Sequence, residues 1–269
     1  MAKAWRKLMQ ESIVSLKSVR FYCKEIKPKD VSAASATSRQ EIIPGFKQEI
    51  MNRLTIVLIG AGGLGGEIGE GLVRKGVGCL KIFDGDTVEI SNLSRQKFFE
   101  EDLYKNKAIC LGKNLAIQGI RRTQIIAYPV MFQKAIEDKV DTICDIAICA
   151  PDNNITRIFV SKYFYETTPV IFTGLDREAN TGYIFIQELK KIGLLDAIPS
   201  VAHKKHSPCP NTPAVIDIVK IVAGFVLFAI DSVAMERKRN WNYRQIFLCG
   251  FAPEIVRNIE TKEGCAGSD

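Results

Sequence analysis

Short continuous runs of apolar residues alternate along the chain with segments in which apolar residues recur at helical spacing. A continuous apolar run is typical of a strand buried on both faces, whereas a 3.6-residue repeat is typical of a helix with one buried face. The runs predict strands at 54–59, 79–83, 123–128, 145–150 and 170–173. The intervening repeats predict helices from a glycine loop to about Arg74 and at 107–119, 135–140 and 155–166.

Strands that alternate with helices in this order predict an α/β fold of the Rossmann-like type, a mostly parallel sheet with helices on both faces. Residues 182–188 alternate between apolar and polar side chains, which predicts a strand in an antiparallel extension. The longest apolar run, 214–230, contains Asp217 and Lys220. Two charges in so short a run predict a buried helix rather than a membrane span.

The first 38 residues differ from the rest of the chain. Their apolar residues recur at helical spacing and precede a segment rich in Ser, Ala and Lys, the apolar positions being Trp5, Leu8, Met9, Ile13 and Leu16. We therefore expect an N-terminal helix and linker over 1–38 and a single domain over 39–269.

Composition narrows the classes of function. The chain is 46% hydrophobic and 25% charged, with a net charge of +7, as in an ordinary globular protein that needs no disulfide or metal to hold its core. Its basic residues form no stripe with aromatic residues, so we expect no nucleic-acid partner. The eight cysteines show no short regular spacing, which is typical of a reduced, cytoplasmic protein.

A glycine loop joins the strand at 54–59 to the next helix. Gly60, Gly62 and Gly65 form the pattern GxGxxG, and Asp84 lies 19 residues beyond Gly65 at the end of the following strand. Glycine lets backbone N–H groups approach a phosphate at a helix N-terminus, and an acid at the position of Asp84 accepts hydrogen bonds from ribose hydroxyls. NAD and ATP both contain these groups, so the loop predicts a nucleotide without choosing between them.

Polar residues beyond Asp84 favour ATP. Arg95 and Lys107 are cations that can offset the charge of a triphosphate, and Asn92 and Gln96 lie near them in sequence.

Asp152 and Asn153 directly follow the strand at 145–150. Ligands bind outside the carboxyl ends of parallel strands, where the Asp152 carboxylate could hold Mg²⁺ between phosphates. Asp152 could instead cap the next helix. Two cations and one magnesium-binding acid suit phosphoanhydride chemistry. A hydride transferase has little need of these three residues.

Short motifs follow one another at the spacing of one enzyme family. They are SRQEIIPGF at 38–46, GAGGLG at 60–65, DGDTVEISNLSRQ at 84–96, NKA at 106–108 and APDN at 150–153. With these motifs the chain resembles the HesA/MoeB/ThiF family, relatives of the ubiquitin-activating enzymes. The resemblance implies an adenylyltransferase that uses ATP and Mg²⁺ to activate the C-terminal carboxylate of a small ubiquitin-like or sulfur-carrier protein, or of a peptide, and releases pyrophosphate.

The resemblance also implies roles at the nucleotide. Gly63 would lie against the phosphates, Asp84 would bind the ribose, and Asp86 would serve the ribose or the acceptor. The remaining phosphate contacts would come from Asn92, Arg95 and Lys107.

Other matching residues would complete the site. Asp152 would bind Mg²⁺ with Asn153 beside it, and Gln96 would support the Arg95 loop. Arg39 would reach into the site of a neighbouring subunit, which implies a homodimer.

Two features concern cysteine. Zinc-bearing members of the family have two CxxC pairs and this chain has none, so we expect no structural zinc. Cys209, in HSPCPNTPAV, matches within a couple of residues a cysteine that some members use for thioester, acyl-disulfide or sulfur transfer. Neighbouring cations at 204–206 would lower the pKa of its thiol, although an unreactive loop cysteine is the alternative.

Two other functions stay open. An NAD(P)-dependent oxidoreductase could use the same glycine loop, and Arg95, Lys107 and Asp152 count against it. A non-catalytic nucleotide-binding scaffold is the second alternative, and the intact set of charged residues counts against that as well.

Overall fold

The computed structural model describes residues 18–27, 34–175, 181–198, 216–249 and 252–258. The strands are β1 (Val19–Tyr22), β2 (Thr55–Ile59), β3 (Cys79–Phe83), β4 (Gln124–Tyr128), β5 (Ile146–Cys149), β6 (Val170–Leu175), β7 (Thr181–Gln187), β8 (Tyr243–Cys249) and β9 (Ala252–Asn258). The α-helices are α1 (Ser38–Glu41), α2 (Gln48–Met51), α3 (Gly63–Lys75), α4 (Lys107–Gln118), α5 (Phe132–Glu137), α6 (Asn154–Phe164), α7 (Leu194–Ala197) and α8 (Ile216–Ala234).

These strands form one sheet in the order β1-β4-β3-β2-β5-β6-β7-β8-β9. The five strands from β4 to β6 are parallel, and β1 and β7–β9 run antiparallel to their neighbours. The predicted mostly parallel sheet with an antiparallel extension is therefore confirmed.

Each face of the sheet carries its own apolar core. Successive side chains of a strand point to opposite faces, so Ile56 and Leu58 of β2 pack with α3, α4 and α8, whereas Val57 and Ile59 pack with α5, α6 and α7. Helix α8 buries its apolar face against α3 and β7. No helix in the described part of the chain is long and apolar enough to cross a membrane.

The pattern of apolar residues did not predict β1, β9 or the short helices α1, α2 and α7, and it misplaced the bounds of α5. β1 (VRFY) and β9 (APEIVRN) are edge strands that the apolar pattern missed, because charged residues interrupt both. Helix α5 begins at Phe132, three residues before the predicted start, and Lys139 takes a left-handed backbone (φ 56°) just after its end. The predicted extension to 140 is therefore wrong. The predicted N-terminal helix and linker over 1–38 contain β1, which pairs with β4, so this part of the chain joins the sheet of the main domain. Residues 1–17 of the predicted helix lie outside the described residues.

A buried lysine holds β3 to the chain that leads into β5. Lys81 is 5% exposed, and its ammonium donates to Asp141 Oδ2 at 2.8 Å and to the Ile143 carbonyl at 2.9 Å. The hydrogen bond from Lys81 lowers the pKa of Asp141 below its ordinary value. The pair therefore favours the folded state only while Asp141 is ionised.

We expect Asp141→Asn to be less stable than the wild type at pH 7, with the difference shrinking as the pH falls. The folded pKa of Asp141 lies below its unfolded value, so its stabilising contribution is present above the unfolded pKa, about 4, and is lost as the pH falls through the folded pKa. Urea unfolding of both proteins from pH 7 to pH 3 measures the difference. A difference that stays constant over this range contradicts the role given to Asp141.

Candidate functional site

The order of the parallel strands reverses between β2 and β5, because β3 and β4 lie on one side of β2 while β5 and β6 lie on the other. Such a reversal opens a crevice at the carboxyl ends of the strands, and ligands bind there in open α/β sheets. The turns after β2, β3 and β5 meet at this point. Gly60 N donates to Phe83 O at 3.0 Å, and Ala150 N donates to Ile59 O at 2.9 Å.

The glycine loop is compressed against both its own helix and the neighbouring strand. Gly60 has a φ of 96°, and a Cβ there would lie 3.0 Å from Ala150 C and O. A Cβ on Gly65 would lie 2.0 Å from Gly60 O. Only glycine fits at these positions, and the result is a turn that points the N-terminus of α3 into the crevice. The free N–H groups and the dipole of that helix end favour an anion.

Asp84 ties the glycine loop to the end of β3. Its Oδ2 accepts from Ala61 N at 2.7 Å, and its Oδ1 accepts from Asp86 N at 2.8 Å. The side chain is 8% exposed, and burial raises its pKa even though the two backbone hydrogen bonds favour the ionised form. A carboxylate has about four lone-pair positions, so two remain for a ligand.

Lys107 is placed beside the same turn by the start of α4. Asn106 caps this helix, its Oδ1 accepting from Ile109 N at 3.1 Å while its Nδ2 donates to Asp84 O at 2.9 Å. The Lys107 ammonium lies 3.3 Å from Asp86 Oδ2. Asp86 is exposed, so this cation is paired with a carboxylate at the mouth of the crevice.

The segment that carries the other predicted phosphate contacts crosses in front of α3. Asn92 is buried, and its Oδ1 accepts from Glu89 N at 3.0 Å. The Arg95 guanidinium donates to Ser91 O at 2.6 Å. The Gln96 amide nitrogen lies 3.9 Å from the position of a Cβ on Gly62, which places Gln96 over the glycine loop.

Asp152 and Asn153 divide the two roles considered for this pair. Asn153 caps α6, since its Oδ1 accepts from Thr156 N at 2.8 Å. Asp152 is exposed, and within the described residues its carboxylate has no hydrogen-bond or ion-pair partner. The capping role considered for Asp152 therefore belongs to Asn153.

Arg157 is a site residue that the sequence analysis missed. It is 8% exposed, and its Nη2 donates to Pro151 O at 2.7 Å while its Nη1 donates to Asn154 Oδ1 at 2.8 Å. Its guanidinium also lies 5.6 Å from the centre of the Tyr183 ring. Arg157 thus supports the turn that carries Asp152. The sequence does contain a signal for this role. Arg157 is a cation near the N-terminus of a helix, where the helix dipole disfavours positive charge, so a specific contact is expected to hold it there.

Arg39 is not brought to the crevice of its own chain. It lies on α1, and the adjacent Gln40 donates to Lys75 O at 3.1 Å, at the C-terminal end of α3. The glycine loop is at the other end of this 13-residue helix, roughly 18 Å away at about 1.5 Å per residue. Arg39 is exposed and has no polar partner in the described parts of the chain.

Cys209 lies outside the described residues, so its predicted role is untested by the geometry. The described cysteines with assigned burial are free thiols. Burial raises the pKa of Cys110 to about 11 and that of Cys144 to about 12, which keeps both protonated at neutral pH. Within the described ranges no three His, Cys, Asp or Glu side chains are grouped to hold a metal.

The ThiF family model matches residues 35–239, about three quarters of the chain. The chain belongs to the ThiF family. The resemblance drawn from the glycine loop and the motifs after it is confirmed.

Curated relatives match a little less than half of this ThiF-family chain. The sulfur carrier protein adenylyltransferase of Thermus thermophilus is 36% identical over 128 residues, 46% of each chain. The sulfur carrier protein ThiS adenylyltransferase of Bacillus subtilis is 37% identical over 130 residues, 46% of this chain and 38% of the relative. The matched stretch thus spans less than half the length of either relative.

Solved structures share the fold. MccB of E. coli with AMPCPP and MccA superposes with a TM-score of 0.69 at 17% identity, covering 90% of this chain and 75% of that one. MccB with ATP gives the same TM-score and identity over 88% and 74%. At this identity the likeness shows the Rossmann-like fold alone.

We expect Gly65→Ala to lower the free energy of unfolding by about 2–4 kcal/mol, because its Cβ would overlap the Gly60 carbonyl. Gly224→Ala is the matched control. A Cβ on Gly224 of α8 meets nothing within 4 Å, so alanine there should raise the free energy of unfolding by about 0.5–1 kcal/mol. Urea denaturation measures both variants, and a neutral Gly65→Ala would show that the loop has room to relax.

Proposed function

We propose that this ThiF-family protein is an ATP-dependent adenylyltransferase. It activates the C-terminal carboxylate of a small ubiquitin-like or sulfur-carrier protein, or of a peptide, as an acyl-adenylate and releases pyrophosphate. The observation that carries the proposal is the approach of two cation-bearing segments, at Arg95 and Lys107, to the crevice at the N-terminus of α3. The names of the curated relatives, sulfur carrier protein adenylyltransferases, support it.

The geometry of the crevice supports one position for the nucleotide. The phosphates lie against Gly63 at the start of α3, where the backbone N–H groups are free to donate. The ribose lies against Asp84, whose remaining lone pairs accept from its hydroxyls. Arg95 and Lys107 approach the phosphates, with Asn92 and Gln96 holding the shape of the first segment.

The reaction needs positioning and charge neutralisation rather than a general base. An oxygen of the ionised C-terminal carboxylate attacks the α-phosphorus, and the bond from that phosphorus to the bridging oxygen breaks. The acyl group is then joined to AMP, and pyrophosphate leaves with its negative charge offset by Arg95 and Lys107. A carboxylate is already deprotonated at neutral pH, so no residue has to remove a proton from it.

The donor set at Asp152 fits Mg²⁺. Mg²⁺ is usually bound by one or two carboxylates together with phosphate oxygens and water rather than by a cage of protein ligands. Asp152 offers one exposed carboxylate free of protein partners in the described structure, on a turn held by Asn153 and Arg157. When bound, the ion would neutralise charge on the phosphates.

The substrate class comes from the relatives and the fold neighbours. Curated relatives are named for sulfur-carrier proteins, and a solved MccB structure contains MccA. These names support a macromolecular acceptor, and its free C-terminus is what the resemblance to the family implies. A cytoplasmic location and the absence of a structural zinc remain predictions.

Pyrophosphate exchange tests the proposal. With Mg²⁺ and a panel of carrier proteins ending in Gly-Gly and short peptides, the full chain should exchange labelled pyrophosphate into ATP only when a suitable acceptor is present. Asp152→Ala should lower the exchange rate by at least about 100-fold without unfolding the protein, because an exposed side chain contributes little to the core.

One further variant separates adenylation from the later transfer. Cys209→Ala should keep the wild-type exchange rate, since the proposed thiol acts only after adenylation. Loss of exchange in Cys209→Ala would contradict this division. If no acceptor of the panel supports exchange, and if NAD binds more tightly than ATP, the oxidoreductase is favoured instead.

We also propose that the protein acts as a homodimer in which Arg39 completes the partner's site. Arg39 lies too far from the glycine loop of its own chain to reach it, at the other end of α3, and its exposed guanidinium has no polar partner among the described residues. A two-fold dimer would place the same face of each subunit against the other.

Mixing two inactive variants tests this arrangement. Arg39→Ala and Asp152→Ala should each lose exchange activity when alone. In an equal mixture allowed to exchange subunits, half of the dimers contain one of each, and one of their two sites is intact, so about a quarter of the wild-type activity should return. Activity that does not return on mixing would contradict the contribution of Arg39 in trans, provided that light scattering shows mixed dimers.

A further inference from the structure

Lys97 directly follows Arg95 and Gln96, and the proposed reaction gives it no contact with substrate. Its ammonium lies 3.1 Å from Glu67 Oε1 and also pairs with Glu70, both on α3. The Lys97 side chain is 20% exposed and that of Glu67 is 11% exposed. Because water is partly excluded, these pairs are held more firmly than pairs on an open surface.

Lys97 and Glu70 each favour the charged state of the other. Burial alone would lower the pKa of Lys97, but the hydrogen bonds and charges of Glu70 and Glu67 outweigh burial and raise that pKa. For Glu70 the signs are reversed. Burial alone would raise its pKa, but Lys97 and Arg74 outweigh burial and lower that pKa.

The stem of Lys97 lies directly on α3. A Cβ on Gly66 would be 3.0 Å from Lys97 Cγ and 3.2 Å from its Cβ, and a Cβ on Gly63 would be 3.2 Å from Arg95 O. The glycines that follow the nucleotide loop thus leave room for the 95–97 segment on the first turns of the helix.

The backbone of Lys97 is attached to a different helix. Asn114 of α4 donates from Nδ2 to Lys97 O at 3.0 Å and to Asp102 Oδ2 at 2.8 Å, and both Asn114 and Asp102 are buried. Lys97 is therefore fixed at two points, by its carbonyl to α4 and by its ammonium to α3.

We propose that Lys97, through Glu67 and Glu70, is a positioning residue that fixes Arg95 over the N-terminus of α3. This inference rests on the proposed function, in which Arg95 contacts the phosphates of ATP. Without the ammonium, the 95–97 segment keeps its attachment to α4 and the packing of the Lys97 stem, but it loses its ion pairs to α3. Arg95 then has to be ordered when the nucleotide binds, which weakens binding.

Calorimetric titration of the full chain with Mg·ATP tests the proposal. Lys97→Met keeps the stem and removes the charge, and it should raise the Kd about tenfold. Lys97→Arg should restore a Kd near that of the wild type. Lys75→Met is the matched control, because Lys75 pairs with Asp231 at 2.6 Å and is 21% exposed, but at the far end of α3. Its Kd should equal that of the wild type.

A double variant shows whether Lys97 acts through Arg95. Lys97→Met should add less than about twofold to the Kd of Arg95→Ala, since the two changes remove one interaction. Additive effects, or an unchanged Kd in Lys97→Met, would overturn the inference. If the wild type binds ATP and shows this pattern but exchanges no pyrophosphate, the proposed function fails and the positioning role stands. If it binds no ATP, both fail.

Discussion

The close approach of two backbone turns at the reversal point of the sheet is the constraint on which the site depends. Gly60 lies against the Ala150 backbone, and Gly65 lies against the Gly60 carbonyl, with no room for a side chain at either place. This contact sets the start of α3 and the end of β5 at a fixed distance. The nucleotide loop and the turn with Asp152 therefore belong to one rigid unit, and the helix N-terminus points at the space between them.

The residues around this contact divide into supports and candidate ligand contacts. The supports form hydrogen bonds to backbone groups of the turns themselves, and they are Asp84, Asn153 and Arg157. Asp152 and Arg39 are exposed and have no polar partner within the described structure. Such exposed groups contribute little to folding, and the proposed function gives Asp152 a metal ion and Arg39 a second subunit to contact.

Local patterns were sufficient to predict the parallel strands and the glycine loop. Each buried strand is a continuous apolar run, and the loop is defined by glycines close in sequence. The edge strands β1 and β9 could not be predicted in this way, because charged residues interrupt both and their place in the sheet depends on pairing with β4 and β8. Local patterns also did not predict the roles of Arg157 and Lys97, because these roles depend on acceptors in other turns and helices. The separation of Arg39 from its own glycine loop is likewise set by the packing of α1 on the C-terminal end of α3, which no local pattern predicts.

The central claim is that the crevice between β2 and β5 binds a nucleoside triphosphate rather than a dinucleotide. Calorimetric titration of the full chain with Mg·ATP and with NAD tests it most directly. ATP should bind at least about tenfold more tightly than NAD, because Arg95 and Lys107 offset the additional negative charge of the triphosphate. NAD binding as tight as ATP binding, or tighter, would contradict it.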